Sequence, residues 1–357
     1  MAVPAFEAPS TCAGTTPPVG GRPAAEILTW SRGLIDPALR AAVDGLPASM
    51  RHVAGYHFGW WDPDGRPIDA PGGKRIRPAL ALLAAQAVGG AAGPAVPAAV
   101  AIELVHNFSL LHDDVMDADA VRHHRPTAWR VFGANAAILA GDALQMLALD
   151  VLAASGHPAA TAGVRMLGAA VQELIEGQST DLSFERRADV TLAECRAMAL
   201  AKTGALLGCA VAMGGSFGGG DPGQIRRLRR FGTDVGLAFQ HVDDLLGIWG
   251  DPAITGKPVF SDLRSRKKSL PVVAALTSDS AAGRELAALY RRDRPLSDAE
   301  CVHAAELIDI AGGRVWSRAE AARLLARALR QLCLAEPAPQ PATALEALAR
   351  MIVIRRQ

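Results

Sequence analysis

The chain has 357 residues, half of them hydrophobic, enough for one large buried core or two ordinary ones. Its 37 basic residues balance 36 acidic ones, which excludes a global pull toward nucleic acid or anionic membrane and makes any attraction to a charged substrate local. Five scattered cysteines, without CxxC spacing, argue against a disulfide framework or zinc site, and the N-terminus lacks a basic-then-apolar secretion signal, so the expected location is the cytoplasm.

Residues 1–23, MAVPAFEAPSTCAGTTPPVGGRP, are rich in Pro, Gly, Thr and Ala and have little to bury. They predict a disordered tail ahead of one domain over 24–357. The next segment, AAEILTWSRGLIDPALRAAVDGL, carries apolar residues at helical spacing, with Pro37 placed as a helix start. WWDPDGRPIDAPGGK reads as a turn-rich connection. Ala- and Leu-rich helical segments then occupy 76–92, 97–117, 133–154, 158–184, 191–214, 223–249, 271–277 and 282–292, separated by short Gly, Pro and Asp breaks. GGSFGGGDPG (214–223) and EPAPQPAT (336–343) read as loops, the second before a last short helix. The most apolar stretch, 79–105, is interrupted by Gln86, Gly89, Gly90, Pro94 and Pro97, so no transmembrane segment is expected. Strand-like alternation hardly occurs, which leaves one all-α domain of many helices, larger than a four-helix bundle.

Two acidic clusters stand out. In LLHDDVMDADAVRHHRPTAW (110–129), a helix places Asp113, Asp114 and Asp117 toward one face, while Asp119 falls off it. Unpaired, such carboxylates destabilise a helix; with a hard divalent cation such as Mg²⁺ they form a binding platform. In FQHVDDLLGIWGDPAITGKPVFSDLRSRKKSLP (239–271), Asp243 and Asp244 again close an apolar helical run, with Asp251 and Lys257 beyond. One such pair alone reads as a solvated helix end. Two pairs, each leaving an apolar helix and each followed by basic residues, point to opposed carboxylate faces holding metal ions that bridge a polyphosphate. GGKRIRPAL (72–80) places Lys74 and Arg77 three apart on one helical face, without the strand and GxxxxGK[ST] of a P-loop. Arg122 and Arg125, Gln178 and Asp181 in EGQSTDL, and Lys202-Thr203 in ALAKTG mean little singly; their order along the chain carries the information.

That order, GGKxxRP, DDxxD with a downstream Arg, GQxxDL, KT, FQxxDD and GDxxxxGK, resembles the trans-isoprenyl diphosphate synthases, the head-to-tail prenyltransferases that make geranyl, farnesyl and geranylgeranyl diphosphates. The resemblance spans about residues 70–275 by motif and 25–357 by helix pattern. It implies the all-α isoprenoid synthase fold, a large helical bundle around a central apolar cavity. It further implies that Asp113, Asp114, Asp117, Asp243 and Asp244 bind three Mg²⁺ ions that bridge an allylic diphosphate. Arg122, Lys202 and Lys257 would contact that diphosphate, Lys74, Arg77, His106 and position 123 would hold isopentenyl diphosphate, and Thr203 and Gln240 would line the reacting end. Phe108, five residues before Asp113, would plug the chain-elongation path against very long products, and a twenty-carbon product is favoured with fifteen close behind. A homodimer is implied by the family alone. The opening segment is similar to actinobacterial polyprenyl synthases, some packaged as encapsulin cargo, which implies that residues 1–23 dock to a protein shell and would place the enzyme inside a nanocompartment.

Three departures from the family pattern bear on activity. His123 and His124 replace the Arg-Gly of Arg-Arg-Gly, Gly247 replaces the last Asp of the second DDxxD, and Trp129 stands where the family often has His. A histidine at 123 supplies charge only when protonated. A class I terpene cyclase is the nearest alternative, but would carry an Asn/Ser/Glu metal triad in place of Asp243-Asp244 and would not need Lys74 and Arg77. A non-catalytic subunit of a heteromeric synthase usually loses the first motif, which is intact in this chain.

Overall fold

The computed structural model describes residues 23–68, 70, 73–251, 259–292 and 294–354. The predicted tail, apart from Pro23, and Lys257 lie outside the described residues. Helices account for nearly all regular structure: α1 Ala24–Asp44, α2 Ala48–His57, α3 Ile76–Ala87, α4 Val96–Met116, α5 Ala128–Phe132, α6 Ala134–Ala153, α7 Ala160–Phe184, α8 Leu192–Ala199, α9 Ala205–Phe217 and α10 Pro222–Trp249. The C-terminal part adds α11 Ser261–Arg264, α12 Leu270–Leu276, α13 Ala281–Tyr290, α14 Asp298–Ile310, α15 Gly313–Cys333 and α16 Pro339–Val353. A 3₁₀ turn, Gly93–Ala95, leads into α4, and a π-turn, Leu200–Gly204, joins α8 to α9. A two-stranded hairpin, β1 Val121–Arg122 and β2 Arg125–Pro126, is the one sheet among the described residues.

Several sequence expectations change here. Pro37 lies inside α1, not at its start. The buried stripe Ile27, Ser31, Ile35, Leu39 and Val43 repeats every four residues across the proline, so burial on both sides outweighs the single lost hydrogen bond on the exposed face. α9 runs through GGSF to Phe217, because Met213 and Phe217 are buried and Phe217 stacks on His157 at 4.3 Å. α16 begins within the predicted second loop, with proline in its first turn, where a missing N–H costs nothing. α14 and α15, unread in the sequence, are separated by Gly312 in a left-handed conformation. Their starts differ: a Ser297–Glu300 capping box opens α14.

α10 forms the spine. It packs along α9 and α15, while α4 packs along α6 and α3 lies against α9. α3 and α9 contribute side chains to both major cores: Leu82 and Cys209 to the one with α1, α2, α4, α6 and α7, Leu80 and Val211 to the one with α10, α15 and α16. A third core joins the end of α10 to α11–α14. The stretches Gly93–Met116, Ala134–Ala153 and Leu192–Phe217 are long and apolar enough to cross a membrane by length and composition. The first and third are mostly buried inside the bundle; α6 turns much of its apolar surface outward.

Candidate active site

The last turn of α4 presents the first acid motif, and its three aspartates take different roles. Asp117 is exposed, with its N–H donating to the Asp113 carbonyl at 2.8 Å, so the helical register that puts Asp113 and Asp117 on one face persists to the end. Asp114 is buried and accepts from Nε and Nη2 of Arg122 at 2.8 and 2.7 Å. Burial works against the Arg122 charge, but Asp114 outweighs it and holds the guanidinium pKa above its ordinary value. Arg122 is thus committed to bracing the hairpin on α4. Thr127 and Trp129 complete the brace by donating to the Asp119 carbonyl at 2.8 Å each, which gives Trp129 a structural task at its unusual position. The hairpin tip is His123-His124, both at positive φ, 50° and 62°. A two-residue turn with both residues left-handed is the geometry that ordinarily selects Asn-Gly.

α10 repeats the division of labour. Asp243 is exposed, whereas Asp244 is buried with both oxygens engaged: Gln240 Nε2 donates to one at 2.7 Å and the Leu270 N–H to the other at 2.8 Å. Thr203 donates to Gln240 Oε1 at 2.6 Å, so the π-turn, α10 and the start of α12 form one hydrogen-bonded chain. Burial pushes the Asp244 carboxyl up to about 7 and the Asp113 carboxyl up to about 6. Lys202 donates to Asp181 at 2.7 Å, and Lys267 approaches the same carboxylate at 4.0 Å. Both lysines also stabilise ionised Asp113. Burial opposes the Lys267 ammonium, yet Asp181, Asp262, Asp244 and Asp243 hold its pKa above the ordinary lysine value. Lys267 is therefore a cation shared between the acids of α4 and those of α10, while Lys202 links Asp113 of α4 to Asp181 of α7. Gly177 makes this possible, since a Cβ there would lie 2.4 Å from the Lys202 backbone nitrogen. Beside it, buried Gln178 has an amide with no hydrogen-bond partner among the described residues, the kind of orphan a ligand shell satisfies.

A second basic pocket opens beside α3 and α4. Arg77 donates to His106 Nε2 at 3.1 Å, which requires an unprotonated nitrogen, and burial with the nearby guanidinium lowers the His106 pKa well below the usual value. Arg77 itself is pushed down to about 10 by burial and stays charged at neutral pH. Burial likewise pushes His57 down to about 3, and it bonds Asn107 at 3.1 Å. Lys74 is not on the helix with Arg77 as expected. Arg75 at φ 50° caps α3, so Lys74 lies in the preceding exposed segment. The physical reason is tethering to α1: Arg32 donates to the Gly73 carbonyl at 3.1 Å and Arg75 pairs with Asp36. His123 faces this segment, its Nε2 lying 3.9 Å from where a Cβ on Gly73 would be. Burial lowers its pKa, so it brings no positive charge at neutral pH. Phe108 is buried on α4 and meets His112 edge-on at 4.9 Å.

The structure thus brings together Asp113, Asp117, Lys202, Thr203, Gln240, Asp243 and Asp244 in one centre, and Arg77, His106 and His123 near Lys74 in another. Asp262 and Lys267 escaped the sequence reading. Both sit in SDLRSRKKSLP, where a lysine pair preceded by two arginines reads as a solvated basic run. Among the described residues no three carboxylates or imidazoles converge closely enough to hold an ion alone. Mg²⁺ ordinarily binds through one or two carboxylates plus substrate phosphates and water, rather than in an all-protein cage. Half-buried Asp113 with exposed Asp117, and exposed Asp243, with lysines placed for phosphate oxygens, fit that mode.

The pattern of the polyprenyl synthetase family matches residues 66–308. The chain belongs to that family. It is an isoprenyl diphosphate synthase, an enzyme that transfers prenyl groups. It is 46% identical to a (2E,6E)-farnesyl diphosphate synthase of Mycobacterium tuberculosis over 92% of this chain and 93% of that one. It is 45% identical to a geranylgeranyl diphosphate synthase of the same organism over 80% and 82% of the two chains. The crystal structure of a polyprenyl synthetase from Streptomyces coelicolor A3(2) superposes with a TM-score of 0.89, at 47% identity, covering 93% of this chain and all of that one. The isoprenoid synthase fold expected from the sequence is therefore the fold of this chain.

Proposed function

We propose that the protein condenses isopentenyl diphosphate head-to-tail with an allylic diphosphate. The observation that carries this reading is the pair of acid faces, Asp113–Asp117 on α4 and Asp243 on α10, sharing Lys267, with Lys202 beside Asp113. Magnesium ions, three by family resemblance, would be held by these carboxylates and neutralise the leaving diphosphate. Lys202 and Lys267 add fixed positive charge where diphosphate charge develops, and Lys257 joins them by resemblance. The allylic C–O bond breaks with its electrons moving to diphosphate, the isopentenyl double bond attacks the carbocation, and a proton leaves to the departing diphosphate. Arg77, Lys74 and neutral His106 hold isopentenyl diphosphate. Thr203 and Gln240 keep Asp244 in place behind Asp243. The apolar helix faces exclude water that would quench the cation. Phe108, buried one turn above Leu104, blocks the α4 face against very long products, and a twenty-carbon product is favoured with fifteen close behind; relatives named for either length are of nearly equal identity.

The test is incubation of the pure protein with Mg²⁺, isopentenyl diphosphate and dimethylallyl, geranyl or farnesyl diphosphate, followed by phosphatase and identification of the prenyl alcohols. Absence of product with every primer would favour the non-catalytic-subunit reading.

A homodimer is part of this proposal. α6 exposes Leu139 and Met146, two turns apart on one face, and α7 exposes Ile175, an apolar surface suited to a second copy of the chain. The double substitution Leu139→Glu/Met146→Glu should yield monomer by light scattering, and a dimer of unchanged mass would refute the assignment of this face. Residues 1–23, rich in Pro and Gly, are proposed to dock the cytoplasmic enzyme to a protein shell. Unchanged shell co-purification after their deletion would refute that.

A further inference from the structure

The second acid motif reads Asp243-Asp244-Leu245-Leu246-Gly247, so its third carboxylate is missing from the position where the first motif has Asp117. The space is not empty. A Cβ built on Gly247 would lie 2.4 Å from Asp262 Oδ2, 2.5 Å from its Cγ and 2.7 Å from Oδ1. Oxygens at that radius lie as far from the Cβ as the carboxylate oxygens of an aspartate at 247 would lie from their own Cβ. Asp262 comes from α11, on the far side of the connection from α10, and enters the face left bare by Gly247.

Its placement is fixed by local structure. Phe260, at φ 63°, turns the chain into α11. Ser261 then donates to the Gly247 carbonyl and to Asp262 Oδ1, both at 3.3 Å. The Lys267 N–H donates to the Asp262 carbonyl at 2.8 Å, which folds Lys267 back toward the same centre. The Asp262 charge is felt by Asp244, whose ionisation it opposes, and by Lys267, whose ammonium it stabilises. It therefore belongs to the electrostatic unit of Asp181, Asp243, Asp244 and Lys267. Residues 243 and 247 are one turn apart on α10, so a carboxylate over Gly247 lies beside Asp243, as Asp117 does beside Asp113.

We infer that Asp262 supplies, from α11 of the same chain, the third carboxylate that Gly247 cannot, and so completes the metal-binding face of the second motif. The inference rests on the metal–diphosphate reading of the site. Gly247 and Asp262 are a matched pair: any side chain at 247 collides with this carboxylate, and any loss of the carboxylate leaves Asp243 without its neighbour. Asp262 acts as a ligand or as a hydrogen-bonding partner of metal-bound water, and both roles require its negative charge.

The test is Mn²⁺ binding followed by electron paramagnetic resonance, with equimolar inorganic diphosphate present at the same level for every protein. Asp262→Asn, which preserves shape and removes charge, should weaken Mn²⁺ binding about 10- to 100-fold. The exchange Gly247→Asp/Asp262→Ala returns the carboxylate to α10 and should recover most of the affinity lost in Asp262→Ala alone. A merely structural Asp262 would not be rescued from position 247. Wild-type affinity in Asp262→Asn, or a double variant that binds no better than Asp262→Ala, would overturn the inference. A wild-type protein that binds no Mn²⁺ with diphosphate would overturn the metal reading as well, so the two failures are separable.

Discussion

Asp114 sits in an aspartate motif but is predicted to act first as the partner of Arg122. The perturbation is a double-mutant cycle with Asp114→Asn, Arg122→Gln and both together. At 2.7 Å and an effective dielectric of about 20, the two charges attract by about 6 kcal/mol. Desolvation cancels much of that: the Asp114 side chain is 2% exposed and that of Arg122 23%. A net coupling of about 2–3 kcal/mol remains, within the range for directly bonded neighbours. Each single variant leaves a buried charge without its partner and should cost about 3 kcal/mol or more, Arg122→Gln the most because Asp114 is the deeper group. The double variant should cost clearly less than the sum. Urea unfolding of the four proteins measures this directly. Additive costs would mean that Asp114 and Arg122 do not act as a unit, and the hairpin brace would have to be abandoned.

Phe108→Ala should remove the floor of the elongation path. The next buried side chain on that face, Leu104, lies one turn lower, about 5.4 Å, so mass spectrometry of the products should show chains about one five-carbon unit longer, at a stability cost of about 3–4 kcal/mol. An unchanged product length would show that Phe108 faces away from the growing chain. Because burial raises the Asp113 carboxyl to about 6, protons compete with metal below that value. The Mg²⁺ and diphosphate-induced rise in melting temperature should therefore shrink as the pH falls through about 6, and a pH-independent increment would contradict an ionised Asp113 as ligand. His123→Arg should add a permanent charge at the Gly73 segment and lower the KM for isopentenyl diphosphate about fivefold, equivalent to about 1 kcal/mol, without lowering that for the allylic substrate. Equal changes in both would place His123 elsewhere.

Much of the fold was legible because its signals are local. Helical spacing located α3, α4, α6, α7, the continuous run α8–α9 and α10 within a few residues, and the acid motifs fell on the elements that meet in space. What escaped was decided by tertiary contact. Pro37 reads as a helix start until the apolar stripe on both sides of it is buried. Lys74 and Arg77 share a helical face in sequence, but the ties Arg32–Gly73 and Arg75–Asp36 hold the preceding segment on α1, and α3 starts two residues after Lys74. Nothing in DD distinguishes its two aspartates. Only the approach of Arg122, Gln240 and Leu270 shows that the second of each pair is fully enclosed and the first less so. Gly247 reads as a lost carboxylate, and the residue that fills its place comes from a segment whose basic run conceals it.

Metal-bound diphosphate should lie between α4 and α10. Crystals grown with Mn²⁺ and inorganic diphosphate, measured at the manganese absorption edge, locate the ions by anomalous scattering. The prediction is density beside the Asp113–Asp117 face and separate density beside Asp243, with Asp114 still bonded to Arg122. Manganese at only one face, or at neither with diphosphate bound, would contradict it.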